Sequence, residues 1–143
     1  MRHIWIGFLL VTIALVVSAC GSVGEFKVMD GWMLPGKKGD NSMLYFIISN
    51  ATNTDDVLID VNVDVATSAK IYLNANDENG ANALRVLTSV PVPAQKEIIL
   101  KPDRLYIMLT DLRQDLRTGD KVEIELIFEE TGGMIIQAEV RSN

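Results

Sequence analysis

The chain has 143 residues, a length that fits one domain, and its net charge of −6 opposes binding to the phosphate backbone of nucleic acids. Its only histidine is His3 and its only cysteine is Cys20. If the chain is cut before Cys20 and that thiol is modified, the remaining domain has no imidazole and no free thiol. Catalysis by Ser-His-Asp or Cys-His, zinc sites built on His or Cys, and haem ligation by His are then excluded.

The first element in the chain is an export signal. Arg2 precedes an apolar run over residues 4–17 that contains no charged residue, and small residues follow it and end at Cys20. This ending resembles the lipobox of bacterial lipoproteins. We therefore predict a signal peptide over residues 1–19 that is cleaved, and a covalent lipid on Cys20. The alternative, a permanent transmembrane helix, is less favoured because a membrane span needs ~20 apolar residues and this run is shorter.

The predicted lipid defines where the protein works. It would hold the chain at a membrane surface of the cell envelope, on the extracytoplasmic side, through a short lipidated linker over residues 20–25. Cleavage removes Arg2 and no acidic residue, so the net charge changes from −6 to −7. An acidic domain of this kind is repelled by anionic lipid, and its attachment would rest on the acyl chains.

From residue 26 onward, apolar and polar residues alternate with period two, which is typical of half-buried strands. Strands are predicted over residues 26–33, 42–50, 57–65, 69–75, 83–90, 95–100, 104–110, 121–129 and 134–140. Turn-forming residues separate them, including a turn over residues 91–93. Residues 111–117 are predicted to form an ordered loop, with a helical turn as the alternative. About nine short strands without an amphipathic helix indicate one all-β domain over residues 26–143, a Greek-key sandwich or barrel.

The same alternation predicts which side chains face the core. In the third strand, Val57 and Ile59 are expected to point inward together with Val61, Val63 and Val65. The residues predicted to be buried are Val61, Val63, Ile124, Leu126 and Phe128. Pairs of acidic residues at 55–56, 77–78 and 129–130 are interpreted as parts of a solvated acidic face.

Several segments, taken in order, resemble the periplasmic copper chaperones of the PCu(A)C type. They are residues 44–50, residues 70–73, residues 100–102 with 106–109, and residues 112–120 leading into 126–129. The resemblance runs from about Gly31 to Val140. It implies a cupredoxin-like β-barrel that captures Cu(I) outside the cytoplasm.

The resemblance also implies a surface site for Cu(I), built from two histidines and two methionines. The family positions fall here on Tyr72, Leu84, Tyr106 and Met108, so only Met108 keeps the ligand type. Cu(I) is soft and prefers thiolate, thioether or imidazole, whereas a phenol with a pKa near 10 stays protonated at neutral pH and is a poor ligand. Strand alternation places Tyr72, Tyr106 and Met108 on a shared outward, solvent-facing side. An aromatic patch is the alternative to a metal site there.

The other methionines offer a second place for a thioether site. Met29 and Met33 lie near Trp32 at the start of the domain and could supply relocated ligands, although filling of core gaps is favoured for them. Met43 and Met134 are predicted to lie in the core.

Two functions follow as hypotheses. The first is a membrane-anchored copper chaperone-like lipoprotein, a binding protein and not an enzyme, that passes Cu(I) to a copper-accepting partner. The second is a barrel that no longer binds metal and serves as a protein-interaction module. The replacements at residues 72, 84 and 106 favour the second hypothesis, and the family resemblance favours the first.

Overall fold

Ten β-strands make up the described structure. A computed structural model describes residues 24–76 and 80–142, and every regular element within these ranges is a strand. In chain order the strands are β1 (Phe26–Met33), β2 (Ser42–Asn50), β3 (Asp56–Val63), β4 (Ala66–Asn76), β5 (Asn82–Leu87), β6 (Val90–Val92), β7 (Lys96–Ile99), β8 (Leu105–Leu112), β9 (Lys121–Phe128) and β10 (Gly132–Val140). Within the same ranges, no helix is long and apolar enough to cross a membrane. The predicted signal peptide and Cys20 lie outside the described residues.

The strands form one sheet that curls into a nearly closed barrel. Its order is β5-β4-β8-β2-β1-β10-β9-β3-β6, and β7 pairs with β2. β1 and β10 are parallel, and the other pairs are antiparallel. β3 also contacts β4, which brings the two ends of the sheet toward each other. The prediction of an all-β Greek-key barrel is confirmed.

One predicted strand is in fact two. The segment over residues 83–90 divides into β5 and β6, because the chain leaves β4 after Leu87 and pairs with β3 from Val90. Residues 91 and 92 therefore lie in β6, and the turn predicted over residues 91–93 is wrong at these two positions. Pro91 is tolerated within β6 because this strand is the last in the sheet order, where a missing N–H breaks no ladder on the outer side.

The interior is filled by alternate residues of the long strands. On β9, Val122, Ile124, Leu126 and Phe128 are all at most 5% exposed, while the residues between them point outward. The predicted burial of Val61 is confirmed as well. Val63 is only half-buried and packs against the margin of the core.

The predicted phase of β3 is wrong in its first half. Leu58 is fully buried, whereas Ile59 is 44% exposed, the reverse of what simple alternation predicts. The pairing with β9 shifts between Leu58 and Asp60, which marks a β-bulge. A bulge adds one residue to one strand, so side chains on its two sides follow opposite phases. The phase predicted from Val61 onward holds because it lies after the bulge.

The acidic pair at residues 55–56 is not uniformly solvated, and the prediction is wrong for Asp56, which is 5% exposed. Its Oδ1 accepts hydrogen bonds from the N–H of Val57 (2.7 Å) and of Glu130 (2.9 Å). Its Oδ2 accepts from the N–H (3.0 Å) and the hydroxyl (2.5 Å) of Thr131. Burial alone would raise the pKa of Asp56, but these hydrogen bonds outweigh it and hold the pKa below its usual value. Asp56 thus ties the start of β3 to the β9–β10 turn.

The segment after β8 is an ordered loop, as predicted, without a helical turn. β8 itself extends to Leu112, which is fully buried, and Leu116 is 2% exposed. Leu116 exchanges backbone hydrogen bonds with Gly36, at 2.8 and 3.1 Å, which fixes this loop against the β1–β2 connection.

Candidate functional site

One outer face of the sheet gathers the predicted site residues. On β2 and β8, Leu44 and Ile107 form a register pair and are fully buried, so their neighbours Met43 and Met108, which form the next pair, lie on the opposite face. The registers Trp32↔Tyr45 and Tyr72↔Tyr106 extend this face over β1 and β4. We call it the aromatic–methionine face, and its members are Trp32, Met43, Tyr45, Tyr72, Tyr106 and Met108.

Tyr72 and Tyr106, where the family resemblance implies histidine ligands, lie directly opposite each other. Their rings stack, with centroids 5.9 Å apart and an interplanar angle of 12°. The expectation that both face solvent is wrong for Tyr106, which is only 8% exposed. Burial, and then the neighbouring Tyr72 and Asp103, raise the pKa of Tyr106. Its phenol therefore stays protonated at neutral pH and is a poor ligand for copper.

Met108 and Leu84 are the residues where the family resemblance implies methionine ligands. Met108 lies two residues beyond Tyr106 on the same face and is half-buried, with Lys70 opposite it on β4. Leu84 lies on β5 opposite Asn74, two residues along β4 from Tyr72, and is 55% exposed. The fold therefore brings residues 72, 84, 106 and 108 to one face of three adjoining strands, with one thioether among them.

Met43 is a residue of this face that sequence reasoning placed in the core. It is half-buried and outside the core cluster, so its prediction as a core residue is wrong. It lies directly across from Met108, and the hydroxyl of Tyr45 donates a hydrogen bond to its Sδ at 3.2 Å. Nearly every residue from 43 to 48 is apolar, so the sequence of β2 gives no alternation that could have revealed the outward position.

The proposed relocation to Met29, Met33 and Trp32 is not supported by their positions. Met33 is fully buried in the core, and Trp32 lies on the opposite side of β1, where its ring is 4.5 Å from that of Tyr45. Met29 is 38% exposed, so the core position favoured for it is also wrong. A register shift between Met29 and Trp32 marks a β-bulge in β1. Met134, in contrast, packs against the core as expected.

The donor atoms of this face suit only a soft cation. Within residues 24–76 and 80–142, no group of three or more His, Cys, Asp or Glu side chains comes together to hold a metal. The face offers two thioether sulfurs, and thioethers bind Cu(I) in preference to hard divalent ions. The phenol of Tyr45 adds no ligand, because burial first and then Asp103 and Tyr106 raise its pKa. A metal ion held at this face would therefore be a soft cation bound through these sulfurs.

A family match and a curated relative cover most of these strands. The chain matches the LpqE-like family over residues 26–140, a range that contains all ten strands. The uncharacterized protein RP573 of Rickettsia prowazekii (strain Madrid E) is 26% identical over 106 residues, which are 74% of this chain and 59% of that protein. This chain therefore spans less than two thirds of the relative's length.

Solved structures of PCuAC domains have the same fold. The apo PCuAC domain from PmoF1 is 30% identical, with a TM-score of 0.69 over 85% of this chain and 97% of that domain. The copper-bound PCuAC domain from PmoF2 has the same coverage, with 22% identity and a TM-score of 0.71. CuI-DR1885 from Deinococcus radiodurans is 19% identical, with a TM-score of 0.62 over 81% of this chain and 79% of that one. The last two similarities are evidence for the fold alone.

Proposed function

The chain belongs to the LpqE-like family and has the PCuAC type of barrel, and on this premise we propose that it handles copper outside the cytoplasm, binding Cu(I) on the aromatic–methionine face and passing it to a protein partner. One observation supports this proposal above the others. Residues 72, 84, 106 and 108, the four positions at which the family resemblance implies ligands, converge on one face of β4, β5 and β8, and Met108 retains a thioether there.

The proposed role is capture and transfer without turnover. A carrier that gives up its ion needs ligands that a partner can reach and displace one at a time. Met108 is half-buried on an outer strand face, and no imidazole or thiolate lies among the described residues to bind the ion more tightly. We therefore expect a weak site that releases Cu(I) readily to an acceptor with stronger ligands.

Attachment to a membrane is part of the proposal. The lipobox-like ending at Cys20 supports cleavage of residues 1–19 and attachment of lipid to the cysteine. The matching family is described as lipoprotein LpqE-like, which supports this attachment. In this arrangement the acyl chains hold the barrel at the extracytoplasmic surface of the cell envelope, and residues 20–25 link the two.

A second candidate function is a protein-interaction module on the same barrel. The phenols of Tyr72 and Tyr106 stack where the family resemblance implies histidines, and this stacking fits a packed aromatic surface. Leu84 and Val86 on neighbouring β5 are 55% and 56% exposed, and exposed apolar side chains of this kind favour contact with another protein.

A Cu(I) competition titration separates the two functions. Residues 24–143 contain all ten strands and the whole core, and they lack His3 and Cys20, which could bind copper on their own. In the absence of oxygen, this domain should withdraw Cu(I) from a weak chromophoric chelator with a stoichiometry of one ion per chain. Met108→Leu should lower the affinity by about tenfold or more, or ~1.4 kcal/mol. A wild-type domain that withdraws no Cu(I) would contradict copper handling and favour the interaction module.

A further inference from the structure

Met43 and Met108 are paired across β2 and β8 on a face where packing does not explain two methionines. The pairs on both sides of them, Ser42↔Leu109 and Leu44↔Ile107, point into the barrel, and all four residues are buried. Met33 lies inside the core cluster and Met134 packs against it, but Met43 and Met108 do neither. Filling of gaps in the interior, the usual reason for methionine in a β-barrel, therefore does not apply to this pair.

The sulfur of Met43 is held in place by its neighbours. Tyr45, which is 2% exposed, packs its ring against Trp32 and donates its hydroxyl to Met43 Sδ at 3.2 Å. Arg141 lies over the Trp32 ring, 4.7 Å from its centroid. A thioether sulfur has two lone pairs, so one remains for a metal ion while the other accepts the hydrogen bond.

The register of β2 and β8 also allows the two sulfurs to reach one ion. Residues directly opposite on antiparallel strands have Cβ atoms about 4.5–5.5 Å apart, and the flexible methionine side chain can bring its sulfur over the partner strand. Lys70, opposite Met108 on the other side, is exposed and can extend its ammonium group into water. Both donors are thioethers, the type of ligand that a soft cation such as Cu(I) prefers.

We propose that Met43 is a Cu(I) ligand together with Met108, so that this chain carries a two-thioether site centred on the β2–β8 pair. The inference rests on the proposed function, and it moves the site by one strand from the position that the family resemblance implies. Such a site takes Cu(I) or Ag(I). It does not take Cu(II) or Zn²⁺, which require nitrogen, oxygen or thiolate ligands that this face lacks.

The test uses residues 24–143 with Met43→Leu, Met108→Leu and the control Met134→Leu. Leucine has nearly the volume of methionine, so the barrel should fold in all three variants. In the Cu(I) competition titration, Met43→Leu and Met108→Leu should each weaken binding by about tenfold or more, and Met134→Leu should leave it within about twofold. If only Met108→Leu weakens binding, Met43 is not a ligand and copper handling still stands. If the wild type binds no Cu(I), both proposals fail.

A second measurement needs no variant to fold. In the wild-type domain labelled at the methionine methyl groups, addition of Cu(I) should shift the NMR signals of Met43 and Met108 together, at the same ratio of copper to protein. The signal of Met33, which is fully buried in the core, should stay in place. A shift of Met108 without Met43 would overturn the two-thioether site, and shifts of neither would overturn copper binding at this face.

Discussion

Replacement of Asp56 by asparagine should destabilise the barrel by an amount that can be worked out from four hydrogen bonds. Asparagine keeps Oδ1, which accepts from the N–H groups of Val57 and Glu130, but it places an amide nitrogen where Oδ2 accepts from Thr131. The hydroxyl of Thr131 can reverse and accept, whereas its N–H loses its acceptor. An unpaired N–H costs about 1–3 kcal/mol, so Asp56→Asn should lower the free energy of unfolding by that amount at pH 7.

Urea unfolding at equilibrium measures this loss, and Asp55→Asn is the matched control. Asp55 is the adjacent carboxylate and accepts one hydrogen bond, from the N–H of Ala94 at 2.8 Å, but it is exposed. A loss of about 2 kcal/mol shifts the unfolding midpoint by about 1 M when the slope is about 2 kcal/mol per M. The control should shift the midpoint much less. Equal shifts for the two variants would refute the assignment of a special role to Asp56.

The pH dependence gives a second check on the same carboxylate. Since the pKa of Asp56 is lowered in the folded state, its charged form contributes stability that is fully present above the unfolded pKa, which is about 3.9. That contribution is lost as the pH falls through the folded pKa. The difference in stability between wild type and Asp56→Asn should therefore shrink in acid. A difference that grows as the pH falls would contradict the hydrogen-bonded carboxylate.

Three further predictions concern the core, the anchor and the phenols. Phe128→Ala should lower the free energy of unfolding by about 3–5 kcal/mol, because Phe128 is 2% exposed and meets the Phe26 ring edge-on at 4.9 Å. The control is Ile135→Ala, a change at a side chain that is 65% exposed, and equal urea midpoints for the two variants would disprove the core assignment. Cys20→Ser in the full chain should abolish metabolic labelling with a fatty acid, and equal labelling of both proteins would exclude the lipid anchor. Cu(I) affinity, corrected for protonation of the chelator, should stay constant between about pH 6 and pH 9. The pKa of Tyr106 is raised above the usual value of about 10, so its phenol does not ionise in this range. An affinity that rises with pH would indicate a phenolate ligand.

The strands that sequence predicted well are those in which alternation is uninterrupted. On β9 and β10, period two continues from end to end, and the buried faces are those expected. On β3, Leu58 and Ile59 are both apolar, so the sequence does not show which one faces the core once a bulge intervenes. Burial of Asp56 was missed for a different reason, because its partner Thr131 lies 75 residues away in the chain.

The candidate site was predictable in part. Polar and apolar residues alternate around Tyr72 and Tyr106, so their shared strand face could be inferred, but the burial of Tyr106 depends on ring stacking across β4 and β8. Met43 could not be found in this way. Its strand is apolar on both faces, and the register that places it opposite Met108 joins two segments that are distant in the chain.

The central claim, that the aromatic–methionine face is where this chain handles copper, is tested most directly by restoring imidazoles at the stacked phenols. Tyr72→His combined with Tyr106→His places two favoured Cu(I) ligands at opposed positions beside Met108. The double variant of residues 24–143 should bind Cu(I) at least about tenfold more tightly than wild type, a gain of ~1.4 kcal/mol, and Met108→Leu added to it should abolish the gain. A double variant that folds but binds Cu(I) no more tightly than wild type would contradict the claim and favour the interaction module.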